Sequence, residues 1–231
     1  MRKIVVSLLC VCCALVAWAQ NDDFVQYQLD NGLTVYLWED HDQPDVQGWT
    51  VTRAGSIDEP ADATGLAHYL EHMLFKGTDR IGALDWAKEK PLYEQIIALY
   101  DTLALTTDDQ AREAVQLRIN EVSREAAQYA ATDEFSNLIQ GIGGEGLNAF
   151  TSYDVTCYMN SFPSYQMERW LTLYADRLTN PVFRSFQAEL ENVFEEYNMY
   201  LDDNSTHVRN FIFGKLYEGH AYARDIIGYP E

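Results

Sequence analysis

The chain has 231 residues, of which 47% are hydrophobic and 23% are charged, and its formal net charge is −20 at pH 7. This length is sufficient for one large domain or two small domains with a buried core. So acidic a chain is not expected to bind nucleic-acid phosphates or anionic lipid headgroups, and we therefore expect no nucleic-acid partner.

The N-terminal segment has the layout of a secretory signal peptide. Two basic residues precede an uncharged, mostly apolar run over residues 4–19, which ends in Ala17-Trp18-Ala19, a small-x-small cleavage site. The run is too short for a membrane span, so we interpret 1–19 as a signal peptide and expect no stable membrane anchor after cleavage; an uncleaved anchor is the alternative. Cleavage lowers the Lys and Arg count from 16 to 14, changes the net charge from −20 to −22, and leaves only Cys157, so no intramolecular disulfide is expected.

Two stretches before residue 55 have the pattern of β-strands. Residues 24–38 alternate and are interrupted by Asp30-Asn31-Gly32, which predicts a hairpin with a two-residue turn. Residues 46–54 predict a further strand, and the loop over residues 55–60 leads into a helix that Gly77 is expected to end.

That helix carries His68, Glu71 and His72, which share one face because positions i, i+3 and i+4 are neighbours. Two imidazoles at this spacing can chelate one Zn²⁺, and a carboxylate beside them can take a proton from zinc-bound water. The order His-x-x-Glu-His is the inverted zinc-peptidase signature, which indicates a zinc hydrolase. The alternative, a structural zinc site, requires a closed shell of four ligands. The opposite face is expected to be buried and consists of Leu66, Leu70 and Met73.

Residues 87–130 contain two apolar stripes at helical spacing, separated by a turn at Thr106-Thr107-Asp108. This pattern predicts an inserted helical hairpin, which we interpret as a spacer or a partner surface. The pattern G-x-G-x-x-G at 141–146 is typical of dinucleotide sites, but there it follows a strand and opens a helix. Here a predicted helix precedes it and a strand-like run follows, which favours a loop.

Two further helices are predicted near the end of the chain, one ending at Asn180-Pro181 and one beginning near Ser185. On the second helix, Glu189 and Glu196 are seven residues apart and lie on one line. A catalytic zinc ion usually takes three protein ligands, so these glutamates and three single histidines are candidates for the third ligand. The histidines are His41, His207 and His220. The stripe expected to be buried on this helix consists of Leu190, Phe194, Tyr197 and Leu201.

The ordered set of motifs resembles the insulinase/pitrilysin family of zinc peptidases over nearly the whole chain after residue 20. The matching motifs are Leu29-Asp-Asn-Gly-Leu-Thr-Val35, Ala54-Gly-Ser56, residues 65–78, Asn148-Ala-Phe-Thr151 with Asp154 and Thr156, and Glu189-x-x-x-Val193-x-x-Glu196. The resemblance implies an α+β fold, with a mixed, mainly antiparallel sheet covered by helices, that forms one half of a clamshell. The expected domain spans residues 20–231.

The resemblance also implies roles for individual residues. Glu196 is expected to be the third zinc ligand, Glu189 to support a histidine ligand, and Glu195 to do neither. Asn148 and Ala149 are expected to contact an extended peptide substrate on an edge strand.

The function implied is a zinc-dependent metalloendopeptidase in which Glu71 is the catalytic base and Zn²⁺ is the cofactor. The expected partners are a peptide substrate and a second homologous domain or chain, without which we expect little activity. A noncatalytic peptide-binding or partner subunit is the alternative. The signal peptide and the resemblance together indicate a bacterial periplasmic location.

Overall fold

The computed structural model describes residues 24–229, so the predicted signal peptide at 1–19 lies outside the described part of the chain. Two compact units follow each other along the sequence, the first ending at Pro44 and the second beginning at Asp45. Between residues 24 and 229, no helix has both the length and the apolar character needed to cross a membrane.

The first unit contains an antiparallel hairpin of β1 (Phe24–Gln28) and β2 (Thr34–Trp38). At the turn, the Leu29 amide donates to the Leu33 carbonyl at 2.8 Å and the Gly32 amide donates to the Leu29 carbonyl at 2.9 Å. Gly32 has φ +87°, a left-handed conformation that glycine adopts readily. The loop is therefore a three-residue turn closed by glycine, and the predicted two-residue turn is wrong.

The second unit contains a three-stranded sheet of β3 (Asp45–Thr52), β4 (Glu145–Thr151) and β5 (Thr156–Pro163), in the order β3-β5-β4. Both strand pairs are antiparallel, and β4 is an edge strand of this sheet.

Seven α-helices among the described residues belong to the second unit, which confirms the α+β class. They are α1 (Leu66–Met73), α2 (Trp86–Leu105), α3 (Asp109–Ala126), α4 (Glu134–Gly141), α5 (Met167–Thr179), α6 (Phe186–Leu201) and α7 (Asn204–Leu216). Helices α2 and α3 form the predicted hairpin, and the glycine-rich segment joins α4 to β4, as expected for a loop. Helix α1 ends at Met73, four residues before Gly77.

The main core lies between the sheet and α5, where Trp170 and Tyr174 both donate hydrogen bonds to the buried Asn160 side chain of β5, at 2.8 and 2.7 Å. Gly48 of β3 allows this close packing, because a Cβ there would collide with the Trp170 ring. A second cluster joins α1 to α6 and consists of Tyr69, Met73, Val193 and Ile227.

Two of the predicted buried stripes face outward instead. Of the three residues predicted to be buried on α1, Met73 is buried, whereas Leu66 and Leu70 are 49% and 46% exposed. On α6 Leu190 and Phe194 are exposed, as is Leu201, while Glu189 and Val193 are buried. The orientation of α6 follows from the polar contacts of its glutamates with α1. Leu66, Leu190 and Phe194 line a groove of about 960 Å³ between the two helices.

Candidate metal centre

The start of α1 is fixed by backbone contacts that set the direction of its histidine face. Gly65 has φ +85°, and a Cβ at this position would collide with the carbonyl of Ile227. The Glu59 carboxylate accepts hydrogen bonds from the amides of Gly65 and Ala67 at 2.9 and 2.8 Å. These bonds satisfy two amides at the start of the helix, where no intrahelical acceptor exists.

The structure brings Glu196 of α6 against both histidines of α1. The Nε2 atom of His68 lies 3.9 Å from Oε1 of Glu196, and that of His72 lies 3.5 Å from Oε2. In tetrahedral zinc sites, neighbouring N and O ligands are about 3.3 Å apart, given metal bonds of about 2.0–2.1 Å. These distances and donor types therefore fit Zn²⁺ after small side-chain adjustments.

The ligand atoms of His68, His72 and Glu196 all lie within 4.8 Å of one another. Among residues 24–229, no other group of three or more His, Cys, Asp or Glu side chains could hold a metal ion in this way. The three alternative histidines are outside this set of ligands. His207 contacts the Leu201 carbonyl, and the His220 ring accepts a hydrogen bond from the amide of Tyr222.

Glu189 holds the ring of His72 from the other side. Its Oε1 lies 2.8 Å from Nδ1 of His72. Its Oε2 lies 2.5 Å from Nζ of Lys76 and accepts a hydrogen bond from the side-chain Nδ2 of Asn192 at 3.1 Å. The hydrogen bond with His72, together with Lys76, lowers the pKa of Glu189 to about 2, despite its burial. The same hydrogen bond raises the pKa of His72. This contact leaves Nε2 of His72 directed at Glu196, as in metal sites where a carboxylate orients a histidine ligand.

His68 differs from His72 in its surroundings. Its Nδ1 atom is buried without a hydrogen-bond partner, and burial, followed by the charge of His72, lowers the pKa of His68. A neutral imidazole is the form that binds a metal ion. The environment of His68 therefore favours the ligand form.

Glu71 points at the sheet side of the site and is 7% exposed. The hydroxyl of Thr151, the last residue of β4, donates to Oε2 of Glu71 at 2.6 Å. Burial raises the pKa of Glu71, although the Thr151 hydrogen bond acts in the opposite direction. A carboxylate with a raised pKa is a better proton acceptor for general base catalysis.

Sequence reasoning assigned no role to Thr151, which contacts Glu71, or to Arg177, which contacts the residue after α1. Residues 147, 149 and 151 alternate with the exposed Asn148 and Phe150, so strand periodicity could have placed Thr151 toward α1. Nothing local indicated Arg177 of α5. Its guanidinium is fully buried, stacks on four aromatic rings and donates to the Leu74 carbonyl at 3.0 Å, just after α1. The rings belong to Phe75, Phe135, Tyr158 and Tyr174.

The candidate ligands and Glu71 lie around a cavity of about 600 Å³. The two histidines and all three glutamates line it, as do Asn148 and Ala149 of β4. Asn148 is exposed and Ala149 is half-buried. On the sheet side β4 pairs only with β5, so one edge of the strand remains unpaired within this sheet, next to the candidate metal ligands.

Comparison with known proteins decides the family. The model of the insulinase family, Peptidase family M16, matches residues 34–89 and 122–229, which is more than half of the chain. The chain belongs to this family. The gap in the match covers most of the α2–α3 hairpin.

Curated relatives in this family are named as zinc proteases. The chain is 28% identical over 179 residues to an uncharacterised zinc protease of Mycobacterium leprae, covering 77% of this chain and 29% of that protein. It is 23% identical over 192 residues to the probable zinc protease PqqL of Escherichia coli, covering 80% of this chain and 16% of PqqL. The chain thus spans less than a third of the length of these relatives.

Solved structures show the same fold. A protease from Helicobacter pylori superimposes with a TM-score of 0.63 at 20% identity, covering 89% of this chain and 38% of that one. The periplasmic protease PqqL gives the same TM-score and identity, covering 91% of this chain and 19% of its own.

Proposed function

We propose that this chain carries the zinc site of a metalloendopeptidase. His68, His72 and Glu196 hold Zn²⁺, and Glu189 orients His72. The observation that supports this assignment most directly is that the two oxygens of Glu196 face the Nε2 atoms of the two histidines, at 3.9 and 3.5 Å.

In this proposal, the metal ion and individual residues have separate roles in peptide hydrolysis. When bound, zinc would act as a Lewis acid toward the attacking water and the scissile carbonyl. Glu71 accepts the proton of the attacking water and passes it to the leaving amine, so that the cleaved peptide leaves as a neutral amine. Thr151 fixes one oxygen of Glu71, and the surrounding burial keeps its pKa raised.

The substrate is proposed to be a peptide or a small unfolded polypeptide bound as an added strand. The unpaired edge of β4 offers backbone donors and acceptors beside the metal ligands, and strand addition uses such an edge. Asn148 and Ala149 are the proposed contacts, because both line the cavity that contains Glu71.

We also propose that a second homologous domain or chain closes over this cavity, because the relatives are several times longer than this chain. Residues 20–231 form the metal-bearing domain in this arrangement, with the hairpin at about 87–130 inserted in it. The periplasm is the proposed location, supported by the segment 1–19 and by the periplasmic PqqL.

The metal assignment is tested by the zinc content and zinc affinity of the full-length protein. Glu196→Gln is expected to weaken zinc binding by about 10-fold or more, since it removes a charged ligand. Glu195→Gln is the matched control, because this adjacent residue is exposed and has the same charge. Equal zinc affinities of the two variants would contradict the assignment of the third ligand.

The catalytic assignment is tested with Glu71→Gln. We expect this variant to keep zinc and to lose about 100-fold or more of the peptide turnover, because a positioned base contributes about 10²–10⁴-fold. Turnover that survives the substitution excludes Glu71 as the base. A protein that binds zinc and peptide but has no turnover, even with a homologous partner, is instead a noncatalytic subunit.

A further inference from the structure

The α2–α3 hairpin contacts the start of the helix that carries Glu189 and Glu196, although the family match stops at residue 89 and resumes at residue 122. From the sequence it carries no chemistry, and a spacer or partner surface was the interpretation. In the structure, one face of α2 contacts the segment 183–187, where α6 begins. Helix α6 supplies both Glu189 and Glu196.

Tyr100 and Glu89 of α2 both contact this segment. The rings of Tyr100 and Phe186 meet edge to face with centroids 5.1 Å apart, and the Tyr100 hydroxyl donates to the Gln187 side chain at 3.3 Å. At the base of α2, the buried Glu89 forms a two-pronged ion pair with Arg184, at 2.5 and 3.0 Å. Such planar pairs fix geometry as well as contributing energy.

Phe186 also contacts the histidine helix. Its ring lies edge to face with that of Tyr69, with centroids 4.9 Å apart, and the Tyr69 hydroxyl donates to the Phe186 carbonyl. Phe186 therefore lies between a tyrosine of the hairpin and a tyrosine of α1. We call Tyr100, Phe186 and Tyr69 the aromatic row.

On both helices, the residues of the aromatic row lie three positions before the residues of the metal centre that contact each other. Residues three apart on a helix are neighbours on one face. Three residues after Phe186 on α6 is Glu189, three residues after Tyr69 on α1 is His72, and these two side chains are 2.8 Å apart. The spacing between the two helices at the aromatic row therefore sets the spacing at the next contact, where Glu189 holds His72.

We propose that Tyr100 is a positioning residue for the metal centre: it holds Phe186 against Tyr69 and so fixes the distance at which Glu189 meets His72. This inference depends on the proposed zinc site. The hairpin thus acts on metal affinity through α6, without touching the ion. Removal of groups that orient a ligand weakens metal binding by about 10–100-fold, and we expect about 10-fold for the Tyr100 ring.

The test measures zinc affinity by competition with a chelating indicator, using the full-length protein. Tyr100→Ala is compared with Ile97→Ala, a control on the same helix whose side chain is 45% exposed. The expected result is a loss of about 10-fold for Tyr100→Ala and less than about twofold for the control. If Tyr100→Ala does not fold, Tyr100→Leu keeps an apolar contact and is expected to lose about threefold. Unchanged affinity in the folded Tyr100 variant overturns the proposal.

A double-mutant cycle with Glu189→Gln separates positioning from general loosening of the fold. If Tyr100 acts through Glu189, then Tyr100→Ala should cost less than about twofold in the Glu189→Gln background, because coupled residues are not additive. A full 10-fold loss in both backgrounds refutes the route through Glu189.

His72→Ala makes failure of the metal site itself visible. Zinc binding that does not depend on His72 overturns the proposed site and this inference with it. Zinc binding that depends on His72 but not on Tyr100 overturns only this inference.

Discussion

Three glutamates within one cavity have been given different properties by their neighbours. Glu189 is held as a carboxylate by His72 and Lys76, and its pKa falls to about 2. Glu71 is buried against a single hydroxyl, and its pKa is raised. Glu196 faces two imidazoles, and 31% of its side chain is exposed. The same side chain thus serves as an orienting group, a base and a ligand in the proposed site, because burial and hydrogen-bond partners differ.

Substitution of Thr151 tests the positioning of Glu71 by its one hydrogen-bond partner. Thr151→Val removes the hydroxyl at nearly constant volume and is expected to lower peptide turnover by about 10-fold, since a misplaced base loses much of its effect. Thr151→Ser keeps the donor and should remain within about threefold of the wild-type rate. Zinc affinity should be unchanged in both, because Thr151 contacts no proposed ligand. Equal turnover of the two variants would exclude the role.

The sequence predicts site residues only where helical spacing or a family motif identifies them. His68, Glu71 and His72 follow from helix spacing, and Glu196 from the resemblance to a family motif. The Thr151 hydroxyl reaches Glu71 across 80 positions, and Lys76 meets Glu189 across more than 100. Strand periodicity can indicate which face of β4 carries Thr151, but the partner of each side chain depends on how the elements pack.

At the scale of elements, helix boundaries were easier to predict than helix orientation. Helix α6 begins after Ser185 as expected, but its apolar stripe faces outward, because Glu189 and Val193 are the residues that meet α1. A hydrophobic stripe normally marks the buried face. Here hydrogen bonds from His72, Lys76 and Asn192 compensate the burial of Glu189. Helix α7 was not predicted, because its apolar residues do not form one continuous buried face.

Asp176 connects α5 to the segment that follows α1. Its carboxylate accepts from Thr78 at 2.7 Å and from Asn180 at 3.0 Å, and it pairs with Arg80. Burial opposes ionisation, but these hydrogen bonds outweigh it and lower the pKa of Asp176. A lowered pKa means that the stabilisation is complete above the unfolded-state value of about 3.9 and is lost as the pH falls through the lower folded-state value.

Asp176→Asn is therefore expected to lower the free energy of unfolding by about 1–3 kcal/mol at pH 7, and the difference from wild type should shrink below about pH 4. Urea unfolding at pH 7 and at pH 3 measures this change. The exposed Asp101 gives the control, since Asp101→Asn should leave stability within about 0.5 kcal/mol. A difference that stays constant with pH would show that the charge of Asp176 contributes nothing.

At the scale of the whole molecule, the candidate metal centre joins parts of the chain that are far apart in sequence. The two histidines lie on α1 and Glu196 lies on α6, more than 120 positions later, and the apolar contacts between these helices include the cluster of Tyr69, Met73 and Val193 with Phe186 packed against it. Leu66 of α1 and Leu190 and Phe194 of α6 line an open groove. A bound ion at this junction should thus add directly to the stability of the second unit.

Metal removal tests this junction in the full-length protein. An ion that binds only the folded state stabilises it by about 2.7 kcal/mol at 100 times its dissociation constant, which raises the unfolding temperature of a chain of this size by about 5–10 °C. We expect EDTA to abolish this increase in wild type and to have no effect on His72→Ala, which lacks a ligand. His41→Ala is the control, because His41 is 88% exposed in the first unit, and it should respond to zinc as wild type does. A zinc-dependent increase that persists in His72→Ala would place the stabilising ion elsewhere in the protein, and the junction between α1 and α6 would then be held by side-chain contacts alone.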